Sequence, residues 1–150
     1  MWYSFLNVAA ICVGFLILKV SAQSIDELKQ SLANTIMECA RQYTITSEEI
    51  YQLKNRELPE GRNAKCLFAC AYKKTGMMDD QGMMSVDGVR KMTQKYFYDK
   101  PDIITKTDEF TNACINVNEA AVSDGSLGCD RAALIFKCSI DKAPQFDFGV

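Results

Sequence analysis

Cysteine is the residue type in this chain with the clearest potential for chemistry, because a pair of thiols can form a disulfide or bind a metal ion. The stretch KCLFACAYKKTG places Cys66 and Cys70 four residues apart. Redox motifs and zinc sites use two intervening residues, whereas this stretch has three. On a helix, residues i and i+4 have Cβ atoms about 5–6 Å apart, and a disulfide needs about 3.8 Å. We therefore predict that each of these cysteines has its disulfide partner elsewhere in the chain.

The N-terminal segment, residues 1–22, has the pattern of a secretory signal peptide. Its apolar run from Val8 to Leu18 is too short for a membrane span, which takes about 20 residues, and small residues suited to cleavage follow at positions 20–22. The segment is irregular in that no Lys or Arg precedes the run and Lys19 follows it. A retained membrane anchor is the alternative. We predict a secreted, extracellular protein that begins at Gln23.

Cleavage would remove Cys12 and leave six of the seven cysteines. An even number of cysteines in a secreted chain predicts three disulfides. Six cysteines allow 15 pairings. Cys66–Cys70 is disfavoured, and so is Cys129–Cys138 if both lie along one helix, because their sulfurs would then be about 13 Å apart on opposite sides. Ten of the 15 pairings survive both exclusions, and spacing alone does not choose among them.

Composition argues against several classes of function. The formal net charge of −2 disfavours nucleic acid or an anionic membrane surface as a partner, and no membrane insertion is predicted after residue 22. The chain has no histidine, which excludes Ser-His-Asp or Cys-His catalysis and any histidine-containing metal site. The acidic residues between Asp79 and Asp87 lack the alternation and the final Glu of an EF-hand. We predict a protein that is not an enzyme and has no cofactor and no metal.

Apolar residues recur at steps of three and four through most of the chain, and no segment alternates convincingly at period two. This pattern predicts a single all-α domain, residues 23–150, built as a compact bundle of about six helices. The predicted helices run from Ile25 to Tyr43, from Thr46 to about Glu57, through KCLFACAYKKTG to Gly76, from Ser85 to before Pro101, from Ile103 to Ala121, and from about Asp130 to Lys142.

The spacing of the six cysteines from Cys39 to Cys138 is C-x26-C-x3-C-x43-C-x14-C-x8-C. Together with the signal peptide and the helical pattern, it resembles the six-cysteine insect odorant-binding proteins, the pheromone- and general odorant-binding family, over nearly the whole chain after residue 22. The x3 and x8 intervals are the most constant in that family, and x43 is at the long end of its range. The loop GMMDDQG also resembles an acidic, glycine-containing turn of the family.

The resemblance implies an interleaved disulfide pattern, first to third, second to fifth and fourth to sixth. In this chain the pairs would be Cys39–Cys70, Cys66–Cys129 and Cys114–Cys138. The third helix would then be joined to both the first and the sixth. The resemblance also implies an apolar cavity among the helices. Disulfides would offset the stability that a cavity costs, on the order of 24 cal/mol per Å³.

The function implied by the resemblance is the carriage of small, mostly neutral hydrophobic molecules, odorants or pheromones, through an extracellular fluid such as sensillum lymph to odorant receptors. No Lys or Arg is compelled into the pocket by the sequence, so we expect ligands such as alcohols, aldehydes, esters or terpenes. We expect the protein itself to be a monomer or a weak homodimer. Each candidate on a helix is equally explained as ordinary core, and for the loop methionines exposure without function is a further alternative. The candidates outside the C-terminal tail are Met77, Met84, Val86, Val89, Met92, Thr93, Phe136 and Ile140.

The C-terminal tail, residues 143–150, reads APQFDFGV and contains two phenylalanines. In some members of the family a tail of similar length folds back across the pocket. We predict that this tail is a lid that contacts the ligand through Phe148 first and Phe146 second. The alternative is a disordered tail.

Two other functions remain open. One is a disulfide-linked secreted interaction protein, for example a salivary, toxin-like or antimicrobial component, that has no ligand in a pocket. The other is a carrier of hydrophobic ligands outside olfaction. The absence of histidine also argues against the histidine-dependent release attributed to some relatives, so a pH response would need carboxylates such as Asp147 or the Val150 terminus.

Overall fold

The computed structural model describes residues 24–146. The predicted signal peptide, its cleavage point at Gln23, and Phe148 of the predicted lid lie outside the described residues. Residues 24–146 contain six α-helices joined by short loops and 3₁₀ turns, and no β-strand. The all-α prediction is therefore confirmed.

Six helices form the bundle, and their bounds agree with the predicted ones to within a few residues except in the fifth. The α-helices are α1 (24–40), α2 (Ser47–Lys54), α3 (Arg62–Lys74), α4 (Val86–Phe97), α5 (Pro101–Ala113) and α6 (Cys129–Lys142). Short 3₁₀ helices cover Ile115–Glu119, Gly125–Leu127 and Ala143–Phe146.

Helix starts follow the side chains that can satisfy free backbone N–H groups. Thr46 and Glu49 form the predicted capping box at α2, and the Ser85 hydroxyl accepts from the Gly88 N–H at α4. At α6 the residue preceding the helix, Gly128, has no side chain. Asp124 caps the helix instead, since its Oδ2 accepts hydrogen bonds from the N–H groups of Cys129 at 2.7 Å and of the next residue at 3.2 Å.

The fifth helix is shorter than predicted. Pro101 was expected to end the fourth helix, but it is the first residue of α5, where its fixed φ suits a helix start and its missing N–H costs nothing. The chain leaves the α-helix at Cys114 and continues as a 3₁₀ turn. The buried Arg131 side chain donates to the carbonyls of Val117 and Ala120 and thereby ties this turn to α6.

Three disulfides crosslink the bundle. The structure joins Cys39 to Cys70 and Cys114 to Cys138 with Cα–Cα distances of 5.9 Å, and Cys66 to Cys129 with a Cα–Cα distance of 4.4 Å. These are the three pairs that the resemblance implies. They connect α3 to α1 and to the start of α6, and α6 to the end of α5. The C-x3-C spacing thus allows one helix to be fixed to two others.

The core lies between α3 and α6. Ala69 and Ala132 are almost fully buried there, and small residues at these positions let the two helices pack closely. Phe68 and Phe136 meet across the same interface with ring centroids 4.9 Å apart. This interface fixes the relation of α3 to α6, and both helices contribute to the cavity described next.

Candidate functional site

Several depressions between about 360 and 530 Å³ in volume indent the described part of the molecule, so size alone does not identify a functional site. Two of them have mainly apolar linings. The one of about 520 Å³ is lined by α1, α2, α3 and the loop between the first two, whereas the one of about 530 Å³ is lined by five of the six helices. Enclosed apolar volume with few polar groups is typical of sites for small ligands. We refer to the depression of about 530 Å³ as the cavity.

The lining of the cavity follows helical periodicity on α4, α5 and α6, where contributing residues recur at steps of one, three and four. The lining residues are Ile25 and Leu28 of α1, Tyr72 of α3, Met77 and Met84 of the following loop, Val89, Met92, Thr93 and Phe97 of α4, Ile103, Lys106, Thr107, Phe110 and Thr111 of α5, and Ile135 and Ser139 of α6.

The lining includes five residues that the sequence analysis named, Met77, Met84, Val89, Met92 and Thr93. The structure therefore brings the loop methionines and the inner face of α4 to one volume. Met84 is almost fully buried. Its backbone N–H donates to Asn118 Oδ1 at 2.8 Å and its carbonyl accepts from Asn118 Nδ2 at 2.9 Å, so that the 3₁₀ turn after α5 holds this part of the loop in place.

Other named residues lie outside the lining. Phe136 and Ile140 border a separate depression beside residues 56–58, because they are each one residue beyond Ile135 and Ser139 and so are rotated about 100° around α6. Val86 is the first residue of α4, one turn before the cavity face.

Phe146 lies behind the lining. Its ring packs edge-on against Phe110 with a centroid distance of 5.5 Å, and Phe110 belongs to the cavity wall. The structure thus places Phe146 one layer away from the cavity, while Phe148 is outside the described residues.

Two of the five hydroxyl groups in the described lining are satisfied by the helices that carry them. Thr93 Oγ1 donates to the Val89 carbonyl at 3.0 Å, and Thr111 Oγ1 donates to the Thr107 carbonyl at 2.7 Å. Such back-bonding leaves the methyl group of the threonine to face its surroundings. The hydroxyls of Tyr72, Thr107 and Ser139 form no hydrogen bond with the described residues. Burial raises the pKa of the Tyr72 phenol well above the usual range.

Charge in the lining comes from Lys106, and no Asp or Glu is among the described lining residues. The sequence compels no Lys or Arg into the pocket, and the structure places Lys106 in its lining. A lysine can lay its apolar stem along such a wall while its ammonium group stays near water. Lys106 is partly buried, which is consistent with that arrangement.

A second depression, about 480 Å³, shares Leu28 and Met92 with the cavity but has a different character. Four lysines line it, Lys73, Lys74, Lys91 and Lys95. Two of these form ion pairs with neighbouring carboxylates, at 2.9 Å for Lys74 and 2.7 Å for Lys91. Its polar, charged wall makes it a poor match for an apolar molecule.

Two further observations concern residues 24–146 as a whole. Within that range there is no group of three or more His, Cys, Asp or Glu side chains placed to hold a metal ion. Among the helices of the same range, none combines the length and the apolar character that a membrane span requires.

The fold and the cavity define a class of small all-α proteins in which three interleaved disulfides hold helices around an apolar volume. The sequence model of the PBP/GOBP family matches residues 21–142, and the chain belongs to that family. The family assignment suggested by the cysteine spacing is thus confirmed.

Individual relatives share limited sequence identity with this chain or match only part of it. General odorant-binding protein 19d of Drosophila melanogaster is 35% identical over 81 residues, which are 53% of this chain and 51% of that protein. The chain therefore spans about half the length of the curated relative it matches.

Solved structures share the fold. An odorant-binding protein of Drosophila melanogaster superposes with a TM-score of 0.59 at 19% identity, covering 81% of this chain and 96% of that one. A pheromone-binding protein of the cockroach Leucophaea maderae, solved with the fluorescent reporter 1-anilinonaphthalene-8-sulfonic acid, has a TM-score of 0.58 at 21% identity, covering 77% and 95%. A protein described as a fatty acid binding protein, from the oral disk of the blowfly Phormia regina, has a TM-score of 0.54 at 24% identity, covering 79% and 93%.

Proposed function

We propose that this protein is an extracellular carrier that holds small hydrophobic molecules in the cavity and transports them through aqueous fluid to receptors. The observation that carries the proposal is the cavity of about 530 Å³ with its apolar lining. That volume lies within the range of about 300–1,000 Å³ typical of small-ligand sites. Membership of the PBP/GOBP family supports the same function.

The walls of the cavity suit apolar ligands of varied shape. Met77, Met84 and Met92 contribute flexible, polarizable side chains that can adapt to different outlines. The rigid part of the wall comes from α6, whose Ile135 is almost fully buried. The site thus combines a fixed wall with an adaptable one, which favours a range of related ligands.

Three disulfides support an extracellular location, because such bonds persist in oxidising compartments and are rare in reducing ones. This agrees with the signal peptide predicted at residues 1–22. Delivery to a receptor is the part of the proposal that rests on family membership alone.

Lys106 widens the proposed range of ligands beyond neutral molecules. The ammonium group of a lysine in the lining can attract the carboxylate of a long-chain acid, whose hydrocarbon chain would occupy the apolar volume. Two structural neighbours are described in connection with acidic amphiphiles, one in complex with a sulfonic acid dye and one as a fatty acid binding protein. We therefore include fatty acids with the alcohols, aldehydes, esters and terpenes.

The proposal is tested by titrating the oxidised protein with an environment-sensitive apolar dye and then displacing the dye with candidate ligands. The panel pairs a fatty acid with its methyl ester, so that the effect of the negative charge is measured separately from the effect of the chain. Saturable one-site binding that neutral volatiles or fatty acids compete for would support a carrier. Absence of saturable binding would favour an interaction protein that acts without a ligand.

Ligand affinity should be nearly constant between pH 7.5 and 6, within about twofold. The chain has no histidine, and a hydrogen bond from a neighbouring lysine lowers the pKa of Glu38 and of Asp87. Hydrogen bonds from Ser123 lower that of Asp130. Acids with a lowered pKa contribute stability above their unfolded pKa and lose it only as the pH falls through the folded value, which is below this window. Dye titrations at both pH values check the expectation, and a sharp loss of affinity at pH 6 would contradict it.

A further inference from the structure

We propose that Tyr72 is the hydrogen-bond donor that makes the cavity prefer ligands with an oxygen acceptor over hydrocarbons of the same shape. The inference rests on the proposed carrier function and narrows its ligand class. It assigns to Tyr72 a role in specificity that the sequence pattern did not indicate.

The position of Tyr72 is fixed by aromatic packing. It lies in the last turn of α3 and lines the cavity, and its ring centroid is 6.0 Å from that of Phe68, one turn earlier. Phe68 in turn packs against Phe136 of α6 at 4.9 Å. A disulfide from Cys66 to Cys129 joins the same two helices. The side chain is therefore held by a rigid interface rather than by a loop, which suits a group that must recognise one atom of a ligand.

The hydroxyl of Tyr72 is one of three in the described lining, with those of Thr107 and Ser139, that form no hydrogen bond with the described residues, and it is the one held by aromatic packing. The hydroxyls of Thr93 and Thr111 donate hydrogen bonds to backbone carbonyls of α4 and α5. No residue among those described accepts from, or donates to, the Tyr72 hydroxyl. Tyr72 is partly buried, and its oxygen is not among the fully buried unpaired atoms of the described residues, so it is accessible from the cavity. A ligand atom that accepts its proton in these apolar surroundings gains affinity that a hydrocarbon does not.

The chemistry of a phenol sets the ligand class. Because burial raises the pKa of Tyr72, the hydroxyl stays protonated and can donate throughout the physiological pH range. Its partner is an oxygen with free lone pairs, as in an aldehyde, ketone, ester, alcohol or carboxylate. Hydrocarbon terpenes have no such atom and would leave the hydroxyl unpaired.

The test compares two ligands that differ in one atom position, 2-nonanone and 2-methylnonane, in which a methyl group replaces the carbonyl oxygen. Their affinities are measured by dye displacement in the unaltered protein and in Tyr72→Phe. The expected result is that the ketone binds about tenfold more weakly to Tyr72→Phe, while the hydrocarbon binds equally well or better. Tyr98→Phe is the matched control, since Tyr98 is 82% exposed and outside the lining, and it should leave both affinities unchanged.

Stability provides an independent readout. Because the Tyr72 hydroxyl has no hydrogen-bond partner among the described residues, Tyr72→Phe without ligand should melt at the same temperature as the unaltered protein or higher. Unchanged affinity for the ketone in Tyr72→Phe would overturn the assignment. An equal loss for ketone and hydrocarbon, or a lower melting temperature, would do so too, since either indicates a structural role. If the unaltered protein bound neither ligand and no dye, the carrier function itself would fail.

Discussion

Replacement of both Cys66 and Cys129 by alanine should lower the free energy of unfolding by about 2–5 kcal/mol. This disulfide joins α3 to the start of α6 across a sequence separation of 63 residues, the longest of the three. A longer closed loop restricts the unfolded chain more strongly, so its removal releases more entropy on unfolding. Since the same two helices carry Tyr72, Ile135 and Ser139, ligand affinity should fall as well. Guanidinium denaturation and a dye titration measure the two effects.

The matched comparison is the removal of Cys114 and Cys138, which are separated by 24 residues. From loop length alone, the free energy of unfolding of this second double variant should fall by about 0.9 kcal/mol less than that of the first. Equal or greater destabilisation on removal of Cys114 and Cys138 would show that loop length does not determine the order, and that local packing does. Reduction of all three disulfides together should abolish saturable ligand binding.

The second large effect is expected from Gly88→Ala in α4. Helix propensity favours alanine over an interior glycine by about 1 kcal/mol, so local structure alone predicts stabilisation. Packing predicts the opposite, because an added Cβ at residue 88 would overlap the carbonyl oxygen of Gly76 and lie 2.7 Å from its carbon. These are backbone atoms, which cannot rotate away as a side chain can. We expect a net loss of about 1–3 kcal/mol, with weaker ligand binding because α4 carries Val89, Met92 and Thr93.

The control for Gly88→Ala is Gln94→Ala, an exposed position on the same helix, where alanine should change stability by a few tenths of a kcal/mol at most. Thermal denaturation of both variants tests the sign. A Gly88→Ala variant more stable than the unaltered protein would contradict the close contact between α4 and the turn that follows α3.

Local patterns in the sequence were sufficient for much of the fold. The capping signature at Thr46 and Glu49 predicts the start of α2, and the structure has both hydrogen bonds of that box. The start of the fifth helix was harder to predict from the sequence, because Pro101 can either follow one helix or begin the next. Both interpretations fit the local rules. The 3₁₀ turn after α5 is held by Arg131, which reaches back from a distant part of the chain, and this contact leaves no local signal.

The cavity could be predicted only in part, for a geometric reason. Periodicity shows that Ile135 and Ser139 share one face of α6 and that Phe136 and Ile140 share the next, but not which face is directed at α5. Tyr72 and Lys106 were not predicted because α3 and α5 enter the lining through tertiary packing. An aromatic residue next to the lysines of KK at 73–74 is consistent with an ordinary helix end, and nothing in its neighbours indicates a cavity wall.

If small hydrophobic molecules bind inside the cavity, a substitution that fills the cavity should prevent their binding. Ser139 lines the cavity and is partly buried, so Ser139→Phe would place a ring in the volume that a ligand needs. Lys137→Phe makes the same addition at an exposed position of α6, outside the lining. In titrations of both oxidised variants with the apolar dye, we predict that Ser139→Phe loses at least about tenfold in affinity while Lys137→Phe binds as the unaltered protein does. Unchanged binding by a folded Ser139→Phe would show that the ligand binds elsewhere and would contradict the account.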